Sequence, residues 1–171
     1  MKKLAVLFSI FILSIASNAY AKEVAALPAC NVMLNGHWVV NSCRQYPLLQ
    51  YKDIVYFPMT YYDCRFLGIS TNWDSNTNTL EITKENISGA YRNYIWEWEN
   101  GRLNEISICN FNILVNGKEI NNKKEEYPLI TFRDVTYFPL TWHFAVDEFG
   151  WEYNYNDKNE LIINADNYIC K

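Results

Sequence analysis

Residues Tyr127 to Gly150 read YPLITFRDVTYFPLTWHFAVDEFG, and this stretch decides the fold. Its β-branched and aromatic residues before Pro139 are typical of a strand, because such side chains suit a pleated, half-buried surface. Beyond Pro139 the apolar residues recur every three or four positions. The pattern therefore predicts a strand, then a helix from Pro139 to about Glu148, then a stop at Gly150.

The same order of residues occurs 81 positions earlier in the chain. Aligning Asn31–Thr60 with Asn112–Thr141 gives 12 identical residues in 30 positions, which indicates an internal duplication. One extra residue in the second copy then aligns Gly68 with Gly150. The identical pairs are Asn31/Asn112, Asn35/Asn116, Gly36/Gly117, Asn41/Asn122, Tyr46/Tyr127, Pro47/Pro128, Leu48/Leu129, Asp53/Asp134, Tyr56/Tyr137, Phe57/Phe138, Pro58/Pro139 and Thr60/Thr141.

Each copy predicts a strand, a hairpin, a strand, a helix and a second hairpin. A short apolar run in each copy ends in Asn-Gly, which tolerates the positive φ angles of a tight turn. A later β-branched and aromatic run ends at a proline, which suits the first turn of a helix. The expected fold class is α+β, with each repeat forming a small antiparallel sheet packed on one helix. The predicted strands include Val32–Leu34, Ile54–Phe57, Leu80–Ile82, Ile113–Val115, Val135–Phe138 and Leu161–Ile163.

The segment between the copies predicts a further hairpin, because Asn-Gly at 100–101 is flanked by apolar residues. A two-residue loop there would set Trp98 opposite Leu103 and give the hairpin an apolar face to pack on the repeats. If Trp98 is buried in this way, its replacement by alanine should cost about 3 kcal/mol. The expected boundaries are a signal peptide at 1–21, a first repeat at 22–84, the inter-repeat hairpin at 85–110 and a second repeat at 111–171.

The N-terminus has the three parts of a secretory signal. Lys2 and Lys3 precede an apolar run from Leu4 to Ala16, and a small-residue cleavage site ends at Ala21. Cleavage after Ala21 predicts a secreted protein, in the extracellular space or the cell envelope. The apolar run is shorter than the roughly 20 residues that a membrane-spanning helix needs, so no transmembrane segment is expected in the mature chain.

The charge of the chain argues against nucleic acid as a partner. The full chain has 15 basic and 19 acidic residues and a net charge of -4. Removing Lys2 and Lys3 leaves 13 basic residues against 19 acidic ones, a net of -6. A surface that is acidic overall repels a polyphosphate backbone.

All five cysteines remain after the expected cleavage, and an exported chain enters a space that permits disulfides. Five cysteines allow at most two disulfides and leave one thiol free or available for an intermolecular bridge, with the connectivity open. A lipoprotein anchor is a weaker alternative for the first cysteine, since Lys22 and Glu23 separate it from the apolar run. The disulfide candidates are Cys30, Cys43, Cys64, Cys109 and Cys170.

The order Asn-Gly, Tyr-Pro, Asp-x-x-Tyr-Phe-Pro-Leu/Met-Thr, helix and glycine resembles the copper amine oxidase N-terminal-like domain, also called the stalk domain, in two tandem copies. The resemblance covers nearly all of the mature chain, and Tyr127–Gly150 matches best. It implies an antiparallel sheet wrapped on a helix, no catalytic residues, and a place in exported bacterial envelope proteins. The cysteines depart from it, because none occupies an equivalent position in both copies.

The residues do not predict an enzyme or a cofactor. Copper amine oxidation needs three imidazoles, and the chain has only His37 and His143, at different positions of the repeat. A serine-hydrolase elbow and a phosphate-binding glycine loop are also missing from the sequence. A small secreted hydrolase stays open through carboxylate pairs such as Asp147/Glu148 or Asp53/Asp134, although a turn role explains the second pair more simply.

Aromatic residues are the feature left for function, with 6 Trp, 13 Tyr and 9 Phe in the chain. Aromatic faces stack on sugars or anchor protein interfaces. Those outside the repeat are the best candidates for a binding surface: Tyr91, Tyr94, Trp96 and Trp98. The sequence thus predicts a secreted, non-catalytic envelope or extracellular binding or scaffolding module, whose partner is an envelope protein or a cell-surface glycan. A glycan-binding module and a small hydrolase are the alternatives.

Overall fold

The computed structural model of the protein describes residues 22–86 and 89–165. The predicted signal peptide at 1–21 and Cys170 lie outside these residues. Across the two described ranges, no helix has both the length and the apolar character needed to cross a membrane.

Strands make up most of the regular structure. The first repeat forms β1 (Glu23–Ala26), β2 (Asn31–Leu34), β3 (His37–Val39), β4 (Leu49–Tyr51), β5 (Ile54–Pro58), β6 (Ile69–Asp74) and β7 (Thr79–Lys84). The rest of the chain forms β8 (Leu103–Ile108), β9 (Asn112–Val115), β10 (Lys118–Glu119), β11 (Ile130–Phe132), β12 (Val135–Pro139), β13 (Trp151–Tyr155) and β14 (Glu160–Ala165). The helical segments are a 3-10 turn (Asn41–Cys43), α1 (Tyr61–Phe66) and a π-helix (Trp142–Glu148).

Six strands close into a barrel in the order β1-β4-β5-β12-β11-β8. The order is symmetric about its centre, because β4 and β5 of the first repeat are equivalent to β11 and β12 of the second. Strands β5 and β12 pair antiparallel with Phe57 opposite Phe138, which places a pseudo-twofold axis between these two identical residues. The interior is filled by alternating inward side chains: Ala25, Leu49, Tyr51, Tyr56, Ile106, Ile130, Phe132 and Tyr137.

Two four-stranded sheets flank the barrel, and each contains strands from both repeats. Their orders are β10-β9-β7-β6 and β13-β14-β2-β3. Strand β7 pairs in parallel with β9, and β14 pairs in parallel with β2. The closing hairpin of each repeat therefore joins the sheet of the other repeat, and one apolar core contains residues of both. The predicted α+β fold of two helix-packed units is wrong, because the chain is mostly β and the repeats exchange strands.

The predicted strands and tight turns are confirmed locally. The Asn-Gly turns have φ values of 43° at Asn35 and 76° at Gly36, and of 49° at Asn116 and 77° at Gly117. Both residues of each turn thus adopt the left-handed region that a two-residue type I′ hairpin requires.

The helices end where the glycines predict but begin later than the prolines predict. Gly68 and Gly150 have φ values of 74° and 69°, as expected for a left-handed residue after a helix. Pro58 and Pro139 are instead the last residues of β5 and β12. The helices start after the next threonine, whose side chain accepts a hydrogen bond from a backbone N–H of the first turn.

The extra residue of the second copy lies in its helix. α1 has six residues, whereas the equivalent segment has seven and closes a hydrogen bond from Phe149 N to Phe144 O, five residues back. A π-turn absorbs a single inserted residue without moving the flanking elements. The insertion therefore leaves Gly68 and Gly150 in equivalent places.

The predicted inter-repeat hairpin at 85–110 does not form. Residues 94–99 contain no strand, and β8 pairs instead with β1 and β11 inside the barrel. Residues 94–100 lie along the segment 42–46, held by backbone hydrogen bonds such as Trp96 N to Cys43 O. Trp98 is 69% exposed, so the large loss of stability expected for Trp98→Ala loses its basis.

Candidate functional site

Identical residues of the two copies have equivalent structural roles. The Asn41 amide donates to Leu48 O and accepts from Leu48 N, and the Asn122 amide does the same with Leu129. Each asparagine thus closes the loop that leads into the barrel. A residue kept for such a role in both copies says little about function.

A second asparagine pair ties the exchanged strands to the helices. Asn35 Nδ2 donates to Phe66 O at the end of α1, and Asn35 Oδ1 accepts from Ala165 N in β14. In the other copy, Asn116 Nδ2 donates to Glu148 O and Oδ1 accepts from Lys84 N. These contacts join the repeats, which explains why the asparagine is present in both copies. Exposed positions where the two copies differ are therefore the better guide to function.

One such difference lies on the outer face of the sheet β13-β14-β2-β3. Trp38 is paired with Met33, and Met33 with Ile162, so the three side chains form a row across three neighbouring strands. Trp38 is 53% exposed, while Met33 and Ile162 are half-buried. Val40, just beyond β3, is 58% exposed. We call these four residues the Trp38 face.

The equivalent row of the other sheet has a glutamate at each end. There Glu119 is paired with Leu114, and Leu114 with Glu81, at the positions of Trp38, Met33 and Ile162. Lysine and glutamate on an exposed edge strand are common protection against unwanted strand pairing. One edge of the molecule has this protection and the equivalent edge carries an apolar row.

A cleft of about 390 Å³ opens beside the Trp38 face. Leu27 and Pro28 form one wall, and Trp38, Val40 and the 3-10 turn form the other. The lining carries no basic or acidic side chain apart from the weakly acidic thiol of Cys30. This composition suits an apolar side chain of a partner better than a reaction that moves protons.

Of the four aromatic residues predicted as a binding surface, three are partly buried. Tyr91 stacks on His37 with ring centroids 5.0 Å apart, and the Tyr94 hydroxyl accepts from Tyr62 N. Trp96 lies 4.5 Å from the guanidinium of Arg133. Of the four, only Trp98 is an exposed side chain, and the other three anchor the segment 89–100 to the rest of the molecule.

A buried ion pair lies under that segment. Arg44 Nη2 donates to both carboxylate oxygens of Asp63 at 2.7 Å, and Thr60 Oγ1 donates to Asp63 as well. Burial raises the pKa of Asp63, while the charge and hydrogen bonds of Arg44 oppose this shift. Sequence reasoning missed the pair because the equivalent positions hold Glu125 and Phe144, so no repeated pattern marks it.

The four described cysteines are free thiols, so the structure contains none of the predicted disulfides among them. Cys64 is fully buried, and burial raises its pKa well above the ordinary value. Burial also raises the pKa of Cys109 to about 12. Cys30 and Cys43 are half-exposed. Cys30 and Cys43 are therefore the more accessible of the described thiols.

We expect this difference to govern thiol reactivity in the reduced protein. Cys30 and Cys43 should be alkylated directly, whereas Cys64 and Cys109 should react on the order of 1000-fold more slowly, because they require an opening that costs about 4 kcal/mol. Alkylation at pH 8, followed by peptide mass spectrometry, measures each rate. Equal rates at Cys64 and Cys43 would contradict the buried position of Cys64.

The histidines and the proposed acid pairs do not converge. His37 packs on Phe66 and Tyr91, and His143 packs on Phe144. Among the described residues, no group of three His, Cys, Asp or Glu side chains could hold a metal ion.

The carboxylate pairs are also separated by the fold. Asp147 is exposed, whereas Glu148 accepts a hydrogen bond from Asn116 Nδ2 at 2.9 Å, which lowers its pKa. Asp53 and Asp134 lie in different turns and line different clefts. Neither pair has the arrangement across one cleft that a glycosidase requires.

Comparison with protein families, curated proteins and solved structures finds no match to this chain. The resemblance to the stalk domain stays a prediction.

Proposed function

We propose that this protein is a secreted, non-catalytic binding module that docks another envelope protein on the Trp38 face. The observation that carries the proposal is the row Trp38–Met33–Ile162, which faces outward where the equivalent sheet presents Glu119, Leu114 and Glu81. Scattered apolar surface residues need no explanation, but a contiguous apolar row on an edge is typical of an interaction site.

The chemistry of the row suits a protein partner. Tryptophan and methionine are enriched at the centres of protein interfaces, where burial of a large side chain contributes most of the binding energy. Strand β3 is the edge of its sheet, so its outer backbone groups are available to an extended segment of the partner. The neighbouring cleft would take a side chain of that segment.

Replacing the two ends of the row by the glutamates of the equivalent sheet tests the proposal. The variant Trp38→Glu with Ile162→Glu should fold, because the same side chains stand in the equivalent sheet. It should lose binding by about 30-fold or more, since a central aromatic anchor contributes about 2 kcal/mol. Trp142→Glu is the matched control, because Trp142 is 67% exposed on the π-helix and is not part of the row.

Photo-crosslinking in the producing cell identifies the partner and maps the site together. A benzoylphenylalanine at position 38 should give a discrete protein adduct, and the same group at the equivalent position 119 should give none. Equal adducts at both positions, or none at 38, would contradict docking on the Trp38 face.

Glycan binding is the second candidate function, because the half-exposed ring of Trp38 offers a flat apolar surface to a sugar. Isothermal titration with cell-wall or capsule sugars separates the two. Heat of binding that disappears in the Trp38→Glu variant would favour the glycan over the protein partner.

A further inference from the structure

A second cleft lies where the exchanged hairpin β6–β7 meets the barrel hairpin β11–β12. Its volume is about 330 Å³, at the small end of the range for ligand pockets. Its lining comes from both repeats and is apolar except at one rim: Met59, Trp73, Leu80, Phe111, Val135 and Thr136, with Thr131 and Asp134. We call it the Trp73 cleft.

Two aromatic rings form one side of this cleft. Trp73 is 49% exposed, and its ring meets that of Phe111 in a T-shaped contact with centroids 5.2 Å apart. Trp73 also lies opposite Leu80 on the neighbouring strand β7, so the two side chains are on the same face of the sheet. A large aromatic side chain is therefore fixed in position while half of its surface stays open to a ligand.

The charge at the rim is negative only. Asp134 is exposed and forms no hydrogen bond or ion pair with any residue that the structure describes. No lysine or arginine lines the cleft. A cationic ligand is complementary to this rim, and an anionic one is not.

The equivalent place in the other repeat keeps the same combination. There Tyr155, Asp53 and Leu140 stand at the positions of Trp73, Asp134 and Met59, and Cys30 replaces Phe111. An aspartate beside an exposed aromatic ring is thus common to both clefts. This equivalent cleft lacks the two-ring side, because Cys30 stands in place of Phe111 and its thiol is hydrogen-bonded to the Tyr155 hydroxyl.

We propose that the Trp73 cleft binds a small organic ammonium ion. The apolar body of the ligand would pack against Trp73 and Phe111, and its charge would lie between the indole ring and the carboxylate of Asp134. Aromatic rings attract ammonium groups through their quadrupole, and the attraction grows as the cation is desolvated. This site is separate from the Trp38 face and does not depend on the protein-docking proposal.

Titration of the full mature protein with choline tests the proposal, and 3,3-dimethylbutan-1-ol is the control ligand. The two have the same shape, but the alcohol carries no charge. Choline should shift the indole N–H resonance of Trp73, assigned through its loss in Trp73→Tyr, and should bind at least about tenfold more tightly than the alcohol. Equal affinity for both ligands would overturn the proposal.

Variants of Asp134 test whether its carboxylate binds the ammonium group. Asp134→Asn and Asp134→Gly both tolerate the φ of 61° at this position, so both should fold. Each should weaken choline binding about tenfold, whereas the matched variant Asp53→Asn should leave the Trp73 signal unchanged. Unchanged affinity in both Asp134 variants, or displacement of choline by glucose or N-acetylglucosamine at similar concentration, would show that the site does not recognise a cation.

Discussion

Replacing Asp63 by alanine is expected to lower the free energy of unfolding by about 3–5 kcal/mol. The variant leaves Arg44 charged and fully buried, with Nε and Nη1 that already have no hydrogen-bond partner among the described residues. No other carboxylate in the described structure pairs with the Arg44 guanidinium, so nothing offsets the cost of its desolvation. Urea denaturation of the mature protein measures the loss.

Two further variants separate the cost of an unpaired charge from the loss of packing. The double variant Arg44→Met with Asp63→Leu removes both charges and should lose less stability than Asp63→Ala alone, because buried pairs are often replaceable by apolar residues. Lys22→Ala breaks the exposed ion pair with Glu105 and should have little effect. If the double variant is as unstable as Asp63→Ala, the ion pair is not the source of the loss.

Replacing Ile82 by alanine is expected to destabilise both repeats together by about 2–5 kcal/mol. Ile82 is fully buried in β7, a strand of the first repeat, and it is paired with Val115 of the second. Because each sheet contains strands of both repeats, neither repeat can unfold while the other keeps its core. Hydrogen exchange should show equal loss of protection in β5 and β12, with a single thermal transition.

The pseudo-twofold symmetry supplies a matched variant. Ile163→Ala, in the equivalent strand β14, should have the same coupled effect, since Ile163 is paired with Leu34 of the first repeat. Glu81→Ala, next to Ile82 but directed to the outer face, should change the stability little. Two separate transitions, or a loss confined to one repeat, would show that the repeats fold as independent units.

The position of the Trp38 face illustrates what the repeat could reveal. The alignment places Trp38 against Glu119 and Val40 against Asn121, but the sequence does not say that these side chains are exposed. Register across β3, β2 and β14 brings Trp38, Met33 and Ile162 into one row, although Ile162 is 124 residues from Trp38. Of the aromatic residues outside the repeat, Tyr91, Tyr94 and Trp96 are partly buried and Trp98 is exposed.

Local structure was determined by the sequence itself. The Asn-Gly turns, the strands before each proline and the glycine stops of the helices follow from backbone conformations that few residues adopt. The duplication, too, is visible in the sequence. These features depend on neighbours within a few positions, so they needed no knowledge of the rest of the molecule.

The partner of each strand was decided only by the tertiary structure. The two repeats have the same alternation of apolar and polar residues, so β7 could satisfy its pattern against β2 of its own repeat as well as against β9. The role of β8 was hidden for a related reason. It occupies the barrel position equivalent to β1, yet no residue of Asn104–Ser107 is identical to the aligned residue of Glu23–Ala26. The exchange is selected because it buries the apolar faces of both repeats in one core, and that gain belongs to the whole chain rather than to any segment of it.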